Sequence, residues 1–112
     1  DWGSWLTVKN EMARPTNWTW HTSKASGQPF NITASEWNQF TAKINDFREY
    51  KSLTRYAFSN AVRGQPFYFY MFNEARAAIN EMRATGLGTV TRGNPIYASH
   101  LNTLMNTLNA IT

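Results

Sequence analysis

The sequence predicts a mostly α domain: three short helices, each introduced by a Gly-Pro turn, with an aromatic-rich irregular N-terminal segment and a few short strands at most. Three observations predict it. One pattern recurs three times, each occurrence spaces its apolar residues as a helix does, and each follows a turn signal that excludes helix. The pattern is apolar–Asn–x–apolar–x–x–x–apolar–Asn. It reads Trp37-Asn38, Phe40, Ile44-Asn45, then Phe72-Asn73, Ala75, Ile79-Asn80, then Leu101-Asn102, Leu104, Leu108-Asn109. Ahead of the three copies stand Gly27-Gln28-Pro29-Phe30, Gly64-Gln65-Pro66-Phe67 and Gly93-Asn94-Pro95-Ile96. The repeats therefore occupy residues 27–51, 64–85 and 93–111 of a helical domain spanning 27–112, preceded by a Trp-rich arm over 1–26.

The arm contains Trp2, Trp5, Trp18 and Trp20 among many Ser, Thr and Asn, with no period except Trp18-Thr19-Trp20. It is expected to be irregular or short-stranded, with its indoles packed on the helices. The first helix is expected over 34–50, opened by Thr33-Ala34-Ser35-Glu36, where the Thr33 hydroxyl can accept from the Glu36 amide and the carboxylate can reach back. Arg55–Phe58 reads as a short extended piece. The second helix is expected over 69–84, stopped by Gly86 and Gly88. Taken alone, Phe67–Phe72 also fits a buried strand, and only the repeat alignment favours helix. Thr89–Thr91 is again β-favouring. The third helix is expected over 98–111, with Tyr97 or Ser99 at its start.

The apolar stripe assigns Trp37, Phe40, Ile44, Phe72, Ile79, Leu101, Leu104 and Leu108 to packing, either within the chain or in a seam with sister copies. Asn is a poor residue inside a helix, so its recurrence one position past the stripe needs a cause. Asn38, Asn45, Asn73, Asn80, Asn102 and Asn109 are read as structural residues. Their carboxamides are expected to bond the backbone of the adjacent Gly-Pro loop or of a neighbouring helix.

Composition limits the chemistry. With 112 residues the chain is one domain, and with no cysteine it has neither disulfides nor thiol chemistry. No apolar run is long enough to insert in a membrane. The chain begins at Asp1, which reads as a fragment or a trimmed product. The net charge of +4 is scattered, Arg48, Lys51 and Arg55 forming the nearest approach to a patch. Tyrosines lie among these basic residues, but no other repeat carries them, so nucleic acid is not expected as a partner. His21 and His100 are far apart in sequence, and Asp46 and Glu49 are expected to pair locally with Lys43 and Arg48. No Gly-x-Ser-x-Gly or phosphate-cradling glycine loop occurs. No catalytic residue, cofactor or metal ligand is expected, and the chain is not read as an enzyme. Aromatic faces stack on sugar rings, so Trp2, Trp5, Trp18, Trp20, Tyr68 and Tyr70 form a candidate aromatic ligand platform. Against that, a cysteine-free domain of this size needs its large aromatics for its core.

Ile32-Thr33-Ala34-Ser35-Glu36-Trp37-Asn38 and the Gly-x-Pro-Ile-x-Ala-Ser-x-Leu-Asn-x-Leu pattern of Gly93–Leu104 resemble a short module of bacteriophage and prophage tail, fibre and baseplate-associated proteins. The module's usual form is a Gly turn, Ile-Thr-Ala, and a helix bearing the apolar–Asn pair. Phe47-Arg48-Glu49-Tyr50-Lys51 is also similar to such proteins from phages of Gram-positive bacteria. The likeness spans roughly residues 27–111, and Phe69, Tyr70 and Met71 depart from it. It implies a non-enzymatic structural or assembly module of a phage virion, with other virion proteins or copies of itself as partners. It carries over no site residues. The alternative is a receptor-binding domain that recognises a bacterial cell-surface glycan through exposed aromatics.

Overall fold

The computed structural model describes residues 14–20, 32–65, 67–92 and 96–112. Three helices form there: α1 (Ala34–Tyr50), α2 (Phe69–Asn80) and α3 (Ala98–Asn109). The fold is mostly α, and the described residues hold no β-strand. Trp2, Trp5, His21 and the turns at 27–30 and 93–95 lie outside the described residues.

The helix starts differ as their sequences do. Thr33 Oγ1 accepts from the Glu36 N–H at 3.1 Å, the expected cap of α1. Tyr68 precedes α2 in extended conformation and makes no side-chain cap. At α3 the Tyr97 N–H donates to His100 Nδ1 at 3.2 Å, so an imidazole does what the Glu of a capping box does. Residues 69–72 are helical, which removes the strand alternative.

The ends are set by backbone geometry. After α1, the Leu53 N–H donates to Arg48 C=O at 2.8 Å and the Ser52 N–H to Glu49 C=O at 3.0 Å. This is the Schellman pattern, and it puts Ser52 at φ +62°, where glycine is the usual residue. α2 ends at Asn80 rather than 84, because Asn80 Oδ1 takes the Thr85 N–H at 2.8 Å and Gly86 turns the chain at φ +74°. α3 ends at Asn109 rather than 111.

All eight predicted stripe residues are buried, none more than 1% exposed. The stripes therefore close on one another within the chain and leave no seam of these residues for a sister copy. Phe47, Met71, Ala75, Ala78 and Ile111 complete the core. α2 packs against both α1 and α3. Between α1 and α3 lie the indoles of Trp18 and Trp20. The Trp20 ring is 4.6 Å from Phe40 on α1, and its Nε1 donates to Leu101 C=O on α3 at 3.2 Å. Trp18 and Trp20 of the arm are thus part of the same core as the helices.

The ion pairs fall elsewhere than spacing suggests. Arg48 is buried and turns to α2, where Nη1 donates to Ala78 C=O at 3.0 Å and to Glu81 at 2.9 Å, while Nε donates to Thr54 C=O at 2.8 Å. Glu49 pairs with Arg55, whose guanidinium that hydrogen bond holds above its ordinary pKa. Lys43 donates to Thr16 Oγ1 at 2.9 Å. The intrahelical pairs give way because the connection following α1, the arm and α2 with its C-terminal end bring better-placed partners.

Candidate functional site

Seven residues make almost two turns of helix. The two Asn of each repeat therefore emerge on one edge of their helix, just outside the buried stripe. The chain leaving the helix comes back along that edge as a non-helical strap. A primary amide beside a peptide group sets donor to acceptor and acceptor to donor. Asn45 Nδ2 donates to Tyr56 C=O at 3.1 Å while its Oδ1 accepts from the Tyr56 N–H at 2.7 Å. Asn38 holds Ala61 in the same two-bond manner at 2.8 and 2.9 Å. Asn73 holds Val90 at 2.8 and 2.9 Å. Asn80 accepts from the Thr85 N–H at 2.8 Å and from its hydroxyl at 3.2 Å.

On α1 and α2 the expected partners, Gly-Pro loop or neighbouring helix, are thus replaced by the strap that follows the helix. The strap has to pass the edge on which the carboxamides stand. Its register is the same on both helices. Going back from Asn45 to Asn38 matches going forward from Tyr56 to Ala61, and going back from Asn80 to Asn73 matches going forward from Thr85 to Val90. Seven helical residues rise about 10.5 Å, so five strap residues advance only about 2 Å each, against about 3.3 Å in a strand. Arg55–Phe58 and Thr89–Thr91 therefore form no strand despite their composition. Kinks such as the Phe58 N–H bonding Tyr56 C=O at 3.1 Å absorb the difference.

α3 is clamped too, by a segment from the other end of the chain. Asn109 Oδ1 accepts from the Trp18 N–H at 2.8 Å, and its Nδ2 donates to Trp18 C=O at 2.9 Å. Arg14 covers the end of α3, with Nε on Ile111 C=O at 2.7 Å and Nη2 on Asn109 C=O at 2.9 Å, a cation where a helix end favours one. Residues 14–20 are the strap of α3. Trp18 takes the place of Tyr56 and Thr85, and Trp20 that of Phe58 and Leu87, the apolar residue two positions on. Asn102 stands on α3 where Asn38 and Asn73 stand on α1 and α2, and it is half-buried.

Of the candidate ligand platform, Trp18 and Trp20 are 6% and 8% exposed and belong to the core. A buried indole offers no face to a sugar, so these two leave the platform. Trp2 and Trp5 are not among the described residues. Tyr68 and Tyr70 remain, exposed at the start of α2 with rings 5.3 Å apart and 6° from parallel.

A cleft of about 350 Å³ lies beside α3, lined by Phe72, Leu87, Thr89, Val90, Tyr97 and His100 among others. The His100 ring stands 5.8 Å from Phe72, and its Nδ1 is engaged by the Tyr97 N–H. Among the described residues no group of three His, Asp or Glu could hold a metal ion, and no helix is long and apolar enough to cross a membrane. Comparison with protein-family models, with curated proteins and with solved structures finds no match.

Proposed function

We propose that this chain is a non-enzymatic structural module of a phage virion, part of a tail fibre, baseplate or other appendage. The observation that carries the reading is the amide clamp on every helix. On α1, α2 and α3 alike, a carboxamide that a reaction centre would spend on substrate binds backbone instead. Such a network fixes loops to helices without a cofactor, and suits a part whose task is to keep its shape. The likeness of Ile32–Asn38 and Gly93–Leu104 to phage tail modules supplies the setting. Antibody raised against the chain tests this on particles released by the cells that carry its gene. Label at the tail end is the expected result, and particles free of the antigen would overturn it.

One observation favours a second reading, attachment to a bacterial cell-surface glycan. Tyr68 and Tyr70 stack nearly parallel and are exposed, and such a pair offers aromatic surface on which a sugar ring can stack. Titration with host wall polysaccharide would then show binding that Tyr70→Ala abolishes with helical content unchanged. Equal binding by both proteins, or none by either, rejects it.

A further inference from the structure

We infer that the strap of residues 14–20 and the groove on α3 form an exchangeable pair, by which one copy of this chain engages a second copy. The inference rests on the structural reading above and specifies how such modules would join.

The three straps make alike contacts but are tied to their helices differently. Asn45 and Tyr56 are 11 residues apart and Asn80 and Thr85 are 5 apart, whereas Asn109 and Trp18 are 91 apart. The first two straps are bound by short covalent connections to the helices they cover. The third reaches its groove from the opposite end of the chain. What holds it there is noncovalent: the Asn109 clamp, Arg14 on Asn109 C=O and Ile111 C=O, Trp20 on Leu101 C=O, and from α1 Lys43 on Thr16 and Phe40 against both indoles. Every one of these bonds forms equally well when strap and groove belong to different molecules.

Exchange of an identical element needs no new interface. The helix stripes are buried within the chain, so among the described residues a self-association built from contacts already in the fold would use this strap and groove. A strap on the same chain meets its groove at an effective concentration on the order of millimolar. Isolated dilute chains therefore close on themselves, and chains folding side by side in an appendage pair with one another. The choice is made as the chain folds, since a seated strap carries two indoles of the core.

The test is to unfold the full chain, refold it at about 1 µM and at about 1 mM, and measure mass by light scattering after chromatography. The expected result is monomer from the dilute sample, and from the concentrated one discrete oligomers that persist on dilution. Refolding tagged Trp20→Ala chain, whose groove is intact, with untagged Asn109→Ala chain, whose strap is intact, should give a mixed species retained by the tag. Folded monomer brought to about 1 mM without unfolding should give at least about tenfold less oligomer than chain refolded at that concentration, because a seated strap does not exchange. If circular dichroism shows Trp20→Ala unfolded, Arg14→Ala, which spares both indoles and removes only a guanidinium from above the Phe47 ring, takes its place in the mixture. Folded monomer at both concentrations overturns the inference, and so do oligomers that form as well from concentrated folded monomer as from refolding chain. Neither result depends on whether virions carry the protein, which the antibody decides.

Discussion

A clamped carboxamide matters more for what its removal strands than for the two bonds it makes. Asn45 is buried, and without it the Tyr56 N–H and C=O lose their partners together. Asn45→Ala should cost about 2–4 kcal/mol in urea unfolding, since each stranded backbone group costs about 1–3 kcal/mol. Asn45→Asp should do no better, because a carboxylate would face Tyr56 C=O where an N–H had been. Asn80 makes the opposite prediction. Both of its bonds, from the Thr85 N–H and hydroxyl, are accepted by Oδ1. Asn80→Asp should therefore lie within about 1 kcal/mol of the original, and a loss as large as that of Asn45→Asp would refute this account of the clamps. Ser52 offers a gain. At φ +62° in the Schellman turn it bears a cost of roughly 1–2 kcal/mol that glycine escapes. Ser52→Gly should stabilise by about 0.5–1 kcal/mol once the greater freedom of the unfolded glycine is subtracted, read as a higher urea midpoint. The spacing of the six Asn was plain in the sequence because Asn is out of place in a helix. Their partners were not, because an amide bonds any peptide group, and nothing in the pattern says which segment passes by.

At the scale of elements, α1 was legible to both ends, since Thr33 and Glu36 signal its start and the apolar stripe runs unbroken to Phe47. The overestimate of α2 has a local cause: Glu81-Met82-Arg83-Ala84 would favour helix, but Asn80 draws Thr85 back onto the helix end. The straps were half legible. Aligning the sequence backward from each Gly-x-Pro puts Phe58 and Leu87 six residues before Gly64 and Gly93, and Trp20 seven before Gly27. That signal joins the Trp-rich arm to the repeat, and it was hidden by taking each turn as the start of its unit. Arg48 was assigned to the wrong neighbours for a related reason, since its acceptors belong to the connection after α1 and to α2. A prediction follows from how unequally its pair is buried. The Arg48 side chain is 5% exposed and that of Glu81 is 55% exposed. Arg48→Ala strands Thr54 C=O and Ala78 C=O and should cost about 3 kcal/mol or more. Glu81→Ala leaves both carbonyls served by the guanidinium, and should cost less than about 1 kcal/mol. Equal losses in denaturant unfolding would mean that the ion pair, and not the carbonyl contacts, anchors α1 to α2.

For the molecule as a whole, the question is whether the strap over α3 can leave while the rest stays folded. Its indoles sit against Phe40, with the Trp18 ring 5.5 Å away and the Trp20 ring 4.6 Å away, and Phe40 is fully buried. Lifting the strap would open Phe40 to water and free the indole partner of Leu101, on helices that meet through α2. Burying a large side chain contributes roughly 1.5–3 kcal/mol, so peeling two indoles from an aromatic and aliphatic floor costs a sizeable part of the 5–15 kcal/mol typical of a domain. The strap and the three helices should therefore open together. Amide hydrogen exchange measures this directly, because the Trp18 N–H is held by Asn109 and reports on the strap alone. It should exchange with a free energy within about 1 kcal/mol of amides inside α1 and α3, such as those of Ile44 and Leu104. A Trp18 amide opening more than about 3 kcal/mol more easily than those helix amides would mean that the strap detaches by itself. The chain would then be a three-helix unit with a loose clasp, and any exchange between copies would proceed in the folded protein without waiting for chains to fold together.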